Sequence, residues 1–355
     1  MDISFVLPGI PLKPVGGVKI VFEYSNRLSK RGHNITIYFD CKKTFNQYKM
    51  PDFIRRFLVK KIIKYIPNWF DLNNDIQKKC IFGIKDETIN KSDVVIATAV
   101  TTADGVYNLH KTKGEKAYFI QDFENWDHSK EYVFQTYNYN MKNIVIAKWI
   151  KDIVDKKSDH PSIVIPNGID FNVFGIDIPI KKRNRYSISM LYHNKSHKGS
   201  KYGIEVLKRL KEKHKDLTVK MFGVPSRPKK LPQWINYTQN ANEEQLRYIY
   251  NNSSIFLSTS VEEGFGLTGA ESMACGCALV STDYKGVNEY AINGRNALIS
   301  PVKDINSLVK NVEKLFHDDQ LRQRIAKKGN QDIQKLSWDK SVNKFEKTLN
   351  NLIKS

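Results

Sequence analysis

Cysteine is scarce in this chain of 355 residues: Cys41, Cys80, Cys275 and Cys277 are the whole complement. Four scattered thiols make no disulfide framework, and no CxxC pair or histidine cluster accompanies them to suggest zinc, so a reduced, cytosolic setting and no metal are expected. No apolar run approaches the ~20 residues that span a bilayer. The opening MDISFVLPGIP has neither a basic leader nor a small-residue cleavage site, so no signal peptide is expected. Acids are in the minority, with 37 Asp and Glu against 57 Lys and Arg, for a formal net charge of +20. The chain shows no RNA-recognition signature, zinc finger or KH-type loop, and nucleic acid is not the expected partner. The excess charge then reflects a lysine-rich composition, or it draws anionic ligands or an anionic membrane surface.

What is present is an alternation. Short Val/Ile-rich runs at 3–8, 34–39, 93–98, 116–121, 143–147 and 162–166 are separated by amphipathic stretches such as 18–31, which Gly32 stops. The second half repeats this with strands expected at 186–192, 217–223, 254–260 and 278–283. Helices are expected at 200–213, 242–251 and 267–275, then near 303–316 and 339–354. Strands of this kind between helices predict parallel βαβ units. The length exceeds one ordinary core, and IPNGIDFNVF (165–174) carries a turn signal. The expected organisation is α/β: doubly wound domains over 1–167 and 168–338, and a final helix over 339–355. Ligands of two such sheets are expected in a cleft at the carboxyl ends of their strands.

One segment breaks the alternation. DFIRRFLVKKIIKYIPNW (52–69) places Ile54, Leu58, Val59, Ile62, Ile63, Tyr65 and Ile66 on one broad helical face, and Arg56, Lys60, Lys61 and Lys64 on the other. Either the helix packs on its own sheet with a solvated basic side, or Phe53–Ile66 lies on an anionic membrane.

Two glycine-rich loops point to chemistry. LPGIPLKPVGGVKIV sets Gly16 and Gly17 between the first strand and the first helix, where backbone can approach a phosphate. This first loop lacks the G-x-G-x-x-G fingerprint, so a nicotinamide cofactor is not expected. VEEGFGLTGAESMACGCALVSTD (261–283) holds Glu263 and Glu271 with seven residues between them, across a glycine turn that opens a helix. A strand, a glycine turn and a helix N-terminus suit an anion, and the carboxylates suit sugar or ribose hydroxyls.

That stretch resembles the E-x7-E signature of retaining GT-B glycosyltransferases, the family 4 or group 1 glycosyl transferases. Glu263 and Glu271 match its acids, GGV (16–18) its first loop, VIPNGID (164–170) its linker, and SWDKSVNKFEKTL its last helix. The resemblance implies a GT-B fold whose C-terminal helix crosses back onto the first domain. It implies a donor that is a nucleotide-diphosphate sugar, with no metal or other cofactor, and a glycan or lipid-linked acceptor. Carried over, Glu263 would contact the sugar and Glu271 the ribose. Backbone at Phe265, Gly266, Leu267 and Thr268 would bind the diphosphate, joined by Gly16 and Gly17 from the other domain. Lys198 stands at the family's lysine position, but His193 stands where an arginine is usual; a neutral imidazole offsets less charge. At the end of YFIQD (118–122), Gln121 and Asp122 replace a His-Asp-like pair on the acceptor side, and Gln121 is no general base. The expected enzyme moves a hexose or related sugar with retention, in cell-surface polysaccharide or glycolipid synthesis, in the cytoplasm or on the inner face of the membrane. A sugar phosphorylase or nucleotide-sugar epimerase on the same frame is the enzymatic alternative; a basic nucleic-acid- or membrane-binding protein is the other.

Overall fold

The computed structural model describes the whole chain except Gln47, Lys49 and Ser355. It divides into two compact units: Met1–Pro166 with Asp339–Ser355 is unit 1, and Asn167–Trp338 is unit 2. Each is a parallel sheet wound with helices.

Among the described residues, unit 1 has seven strands: β1 (Asp2–Leu7), β2 (Asn34–Asp40), β3 (Gln77–Ile81), β4 (Val94–Ala97), β5 (Glu115–Ile120), β6 (Lys142–Val145) and β7 (Ile163–Val164). Their spatial order is β3-β2-β1-β4-β5-β6-β7. The central strands are buried on both faces, so VVIA of β4 reads as a continuous apolar run rather than an alternation. The helices are α1 (Gly16–Ser29), α2 (Asp52–Ile62), α3 (Val100–Tyr107), α4 (Lys130–Tyr137), α5 (Lys148–Asp155) and α11 (Trp338–Lys354). Past the end of α1, Gly32 adopts φ +85°, a backbone that favours glycine. Helix α11 seats Phe345 against Phe5, Tyr24 and Phe119, with ring centroids 6.3, 4.4 and 5.6 Å away. Glu346 then pairs with Arg31 (2.7 Å) and His33 (2.6 Å).

Unit 2 has six strands: β8 (Ser187–Leu191), β9 (Thr218–Gly223), β10 (Ile235–Gln239), β11 (Ile255–Ser258), β12 (Ala278–Thr282) and β13 (Ala297–Ser300), ordered β10-β9-β8-β11-β12-β13. Helices α6 (Ser200–Lys213), α7 (Glu243–Asn251), α8 (Leu267–Ala274), α9 (Ile305–His317) and α10 (Asp319–Ile333) cover it. Its core includes Ile188, Met190, Leu207, Val219, Leu257, Val280, Val312 and Ile325. In both sheets the chain reverses its direction of travel beside the first strand, between β1 and β4 and between β8 and β11. Those reversals leave a crevice at the carboxyl ends of the strands, the usual ligand position of such sheets.

The segment 52–69 departs from the expected single apolar face. Helix α2 ends at Ile62, and a short 3-10 turn covers Ile63–Tyr65. Only Val59, Ile63 and Ile66 are buried, whereas Phe53, Ile54, Phe57, Leu58 and Tyr65 are exposed, Tyr65 at 78%. The reason is Arg55, which turns inward to hydrogen bond the carbonyls of Lys42 and Thr44 and the Asn46 side chain. That anchor rotates the helix so that one apolar edge packs and the other faces out.

Candidate functional site

In unit 2, three loops meet at the carboxyl ends of β8, β11 and β12. The loop after β8 turns into α6 through Gly199, whose φ is +65°. A Cβ there would lie 1.8 Å from the carbonyl oxygen of Thr259, so only glycine lets the loops touch. The contact is then hydrogen bonded: Val261 N–H (2.7 Å) and Glu262 N–H (3.2 Å) donate to the His197 carbonyl, and Thr259 Oγ1 donates to that of Gly199 (3.1 Å).

These bonds bring Lys198 and Glu263 together. Lys198 Nζ lies 2.9 Å from Glu263 Oε1, with the two side chains 21% and 17% exposed. Ser260 Oγ donates to the other carboxylate oxygen at 2.9 Å. Ser260 was not among the residues expected from sequence, although a hydroxyl at a strand end three residues before an acid is a legible signal. His193 sits in the same loop. Its backbone N–H donates to Ser200 Oγ (2.8 Å), and its Nδ1 accepts the Lys195 N–H (3.0 Å). Burial holds this imidazole below its usual pKa, helped by Lys198, Lys195 and His197, with Glu263 opposing. At neutral pH the ring is uncharged, with Nδ1 as acceptor and the proton on Nε2.

Helix α8 begins at Leu267, after Gly266 at φ +88°. The first N–H groups of a helix have no intrahelical partner, so those of Leu267 and Thr268 are open to an anion. Phe265 is buried and packs on Tyr290, ring centroids 5.4 Å apart, so only its backbone is at hand. Glu271 is buried too, and Tyr250 Oη donates to its Oε2 at 3.2 Å. Gly264, Gly266 and Gly269 carry the G-x-G-x-x-G spacing that the first loop lacks, between strand β11 and helix α8. That spacing serves the phosphates of a nucleotide through its backbone, whatever lies at the far end.

The remaining expected residues belong to unit 1. Gly16 and Gly17 open α1. Gln121 Nε2 donates to the Gly17 carbonyl (3.0 Å), so Gln121 buttresses that loop. Asp122 Oδ1 accepts the N–H of Phe123 (2.9 Å). Glu124 was not foreseen. Its Oε2 accepts the Val100 N–H at the start of α3 (2.9 Å). Burial, against that bond and with Asp122 adding to it, pushes its pKa up to about 7.

Among the described residues, one group has the donor set for a metal. His214, Glu313 and His317 place ligand atoms within 4.8 Å of one another. His214 Nε2 lies 2.8 Å from the Glu313 carboxylate, and Lys213 Nζ lies 3.3 Å from it. The carboxylate thus already has a cation, and the group sits at the far end of α6 from Lys198.

The comparisons with known proteins bear on this site. Residues 178–332, nearly all of unit 2, match the family model for glycosyl transferases group 1. This segment is a group 1 glycosyl transferase domain. A glycosyltransferase of Methanocaldococcus jannaschii, MJ1178, is 24% identical over 210 residues, 57% of this chain and 57% of its own length, so the match spans little more than half of that relative. The N,N'-diacetylbacillosaminyl-diphospho-undecaprenol alpha-1,3-N-acetylgalactosaminyltransferase of Campylobacter jejuni is 32% identical over 94 residues, 26% of this chain and 24% of its own. Among solved structures, Anabaena HepE in complex with UDP-glucose superposes with a TM-score of 0.74 at 13% identity, covering 99% of this chain and 100% of that one. At that identity the likeness shows the fold: GT-B, as expected. Lys198, Glu263 and Glu271 all lie within the group 1 domain.

Proposed function

We propose that this protein is a retaining glycosyltransferase whose group 1 domain binds a nucleotide-diphosphate sugar. The observation that carries the proposal is the Lys198–Glu263 pair, 2.9 Å apart, on the loops after β8 and β11, next to the glycine turn that opens α8. A cation, open helix N–H groups and two hydroxyl-held carboxylates suit a diphosphate carrying a sugar at one end and a ribose at the other. In this reading Glu263 holds the sugar, Glu271 the ribose, and Lys198, His193 Nε2–H and the backbone of Phe265–Thr268 the diphosphate. Glycines 16 and 17, with Gln121 and Asp122, belong to the acceptor-binding unit.

The bond from the anomeric carbon to phosphate oxygen breaks, leaving positive charge on the sugar and negative charge on the diphosphate, which Lys198 and the α8 N-terminus stabilise. The acceptor hydroxyl attacks from the same face, and its proton passes to the departing phosphate oxygen. The chain's cation at the diphosphate is Lys198, so the scheme calls on no cofactor. The HepE complex with UDP-glucose and the undecaprenol-linked substrate in the Campylobacter relative's name support a nucleotide-sugar donor and a glycan or lipid-linked acceptor.

The exposed edge of α2 fits an acceptor held in a membrane. Phe53, Ile54, Phe57, Leu58 and Tyr65 face out beside Arg56, Lys60, Lys61 and Lys64, a combination suited to the interface of an anionic inner leaflet. No helix of the described residues is long and apolar enough to cross a membrane.

A calorimetric screen of UDP, GDP, ADP and NAD+, followed by the matching nucleotide sugars, tests the donor reading. Saturable binding of a nucleoside diphosphate, and hydrolysis of its sugar that Glu263→Ala abolishes, are expected. Wild type and variant equally inert with every nucleotide sugar would overturn it. Turnover with free phosphate as acceptor would indicate a phosphorylase instead.

A further inference from the structure

The glycine turn rests on two buried hydroxyls to which the donor scheme gives no part. Tyr290 Oη donates to the Gly266 carbonyl at 2.8 Å, and Tyr284 Oη lies 2.7 Å from Tyr290 Oη. Both side chains are buried, Tyr284 at 1% and Tyr290 at 7% exposure. Each hydroxyl has one hydrogen. Since that of Tyr290 goes to Gly266, the bond between the pair runs from Tyr284 to Tyr290. The same Gly266 oxygen accepts the helix N–H groups of Gly269 (3.1 Å) and Ala270 (3.3 Å). The fit leaves no room for side chains. A Cβ on Gly266 would meet Tyr284 Oη at 2.1 Å, and one on Gly269 would meet Tyr290 Oη at 2.5 Å.

We infer that Tyr284 and Tyr290 are positioning residues that aim the Leu267 N–H at the ligand. In a trans peptide the carbonyl of one residue and the N–H of the next point in opposite directions. Pinning the Gly266 carbonyl inward on Tyr290 therefore turns the Leu267 N–H outward, to the side where the diphosphate would lie. Burial raises the pKa of both phenols, with Glu263 adding to the effect, so both keep the protons that the relay needs. The residue the pair holds, Gly266, lies in sequence between the two acids, Glu263 and Glu271. Its consequence for binding rests on the donor reading above; its effect on the turn does not.

Tyr290→Phe keeps the ring and removes both hydrogen bonds of its hydroxyl, whereas Tyr284→Phe leaves the bond to the Gly266 carbonyl in place and serves as the milder variant should the first fold poorly. Hydrogen–deuterium exchange across residues 264–270 is measured at a temperature where circular dichroism shows each protein folded. Faster exchange at Gly269 and Ala270, by about five- to tenfold in Tyr290→Phe and less in Tyr284→Phe, is expected for the loss of one buried hydrogen bond. Unchanged exchange in both variants overturns the inference. Calorimetry with UDP, GDP, ADP and NAD+ on the same samples reads the consequence. Affinity for the preferred nucleotide is expected to fall about five- to tenfold in Tyr290→Phe. Equal affinity in wild type and Tyr290→Phe also overturns the positioning role. If wild type binds none of the four, the donor reading falls, and the exchange measurement still decides what the hydroxyl pair does.

Discussion

The Lys198–Glu263 ion pair predicts opposite effects from its two halves. In the free protein the ammonium is already satisfied by a carboxylate at 2.9 Å. Binding a diphosphate is therefore an exchange of partners rather than the capture of an anion by a free cation. The full attraction between unit charges about 4 Å apart near a protein surface, ~4 kcal/mol, overstates what the ligand gains. A charge-assisted hydrogen bond, about 1.5–3 kcal/mol net, is the better measure. Lys198→Met should therefore weaken nucleoside diphosphate binding about ten- to hundredfold. It also leaves Glu263 charged and facing the ligand. Glu263→Gln should do the reverse for the bare nucleotide, because it frees Lys198: affinity for the diphosphate holds or rises, while affinity for the sugar-bearing donor falls. In the Glu263→Gln background, where Lys198 has no carboxylate to leave, the Lys198→Met penalty should grow by roughly 1 kcal/mol, a coupling ordinary for contacting residues. Isothermal titration of all four proteins with the diphosphate and with the nucleotide sugar completes the cycle. Equal diphosphate affinity in wild type and Lys198→Met, or parallel losses in both single variants, would refute the reasoning.

Three further outcomes are expected. His193→Arg should tighten nucleotide binding several-fold at pH 7.5, where the native imidazole is neutral, and flatten a wild-type affinity that rises as pH falls and the ring protonates; a pH-independent wild type would count against His193 touching phosphate. Because the folded protein raises the Glu124 pKa to about 7, the stability tied to its neutral form is present below the ordinary carboxylate pKa near 4.3 and lost as pH rises through 7. Glu124→Gln should leave the melting temperature unchanged at pH 4 and raise it at pH 8.5, by an amount corresponding to about 3–4 kcal/mol; equal midpoints at pH 8.5 would contradict the raised pKa of this carboxyl. Finally, Lys60, Lys61 and Lys64 changed together to Glu should abolish sedimentation with phosphatidylserine vesicles and leave nucleotide binding intact; unaltered sedimentation would reject α2 as a membrane contact.

Much of the architecture could be read from local pattern. Helix α6 falls on the expected 200–213, and the buried strands β1, β4 and β11 announce themselves as Val/Ile-rich runs because both faces of a parallel sheet are covered. Two of the strands that went unread lack that signal. Strand β3, QKKCI, is an edge strand with lysines, and β10, INYTQ, is an edge as well, so neither needs an apolar run. Helix α10 escaped because it is strongly polar and directly follows α9, with only Asp318 between them as its cap. The charged residues of the site were legible because their chemistry is unusual at strand ends. The residues that hold them were not: Tyr250, Tyr284 and Tyr290 look like core aromatics until tertiary packing shows where each hydroxyl ends. Arg55 is the converse case. A basic residue on an amphipathic helix reads as solvated, and only the carbonyls of the 41–46 turn reveal it as an anchor.

Helix α11 also bears on the order in which the protein can be completed. Unit 2 is an insertion within unit 1, and the ring of Phe345 belongs among Phe5, Tyr24 and Phe119. Chains fold as they emerge from the ribosome, N-terminal part first. Here the part made first waits for a helix made after unit 2, with an aromatic vacancy in its core while all of Asn167–Trp338 is synthesised. A ribosome stalled before Phe345 would display a finished group 1 domain beside an unfinished partner. Newly made chains that lose their last few turns would be marked for proteolysis by exposed core rather than by any defect at Lys198 or Glu263.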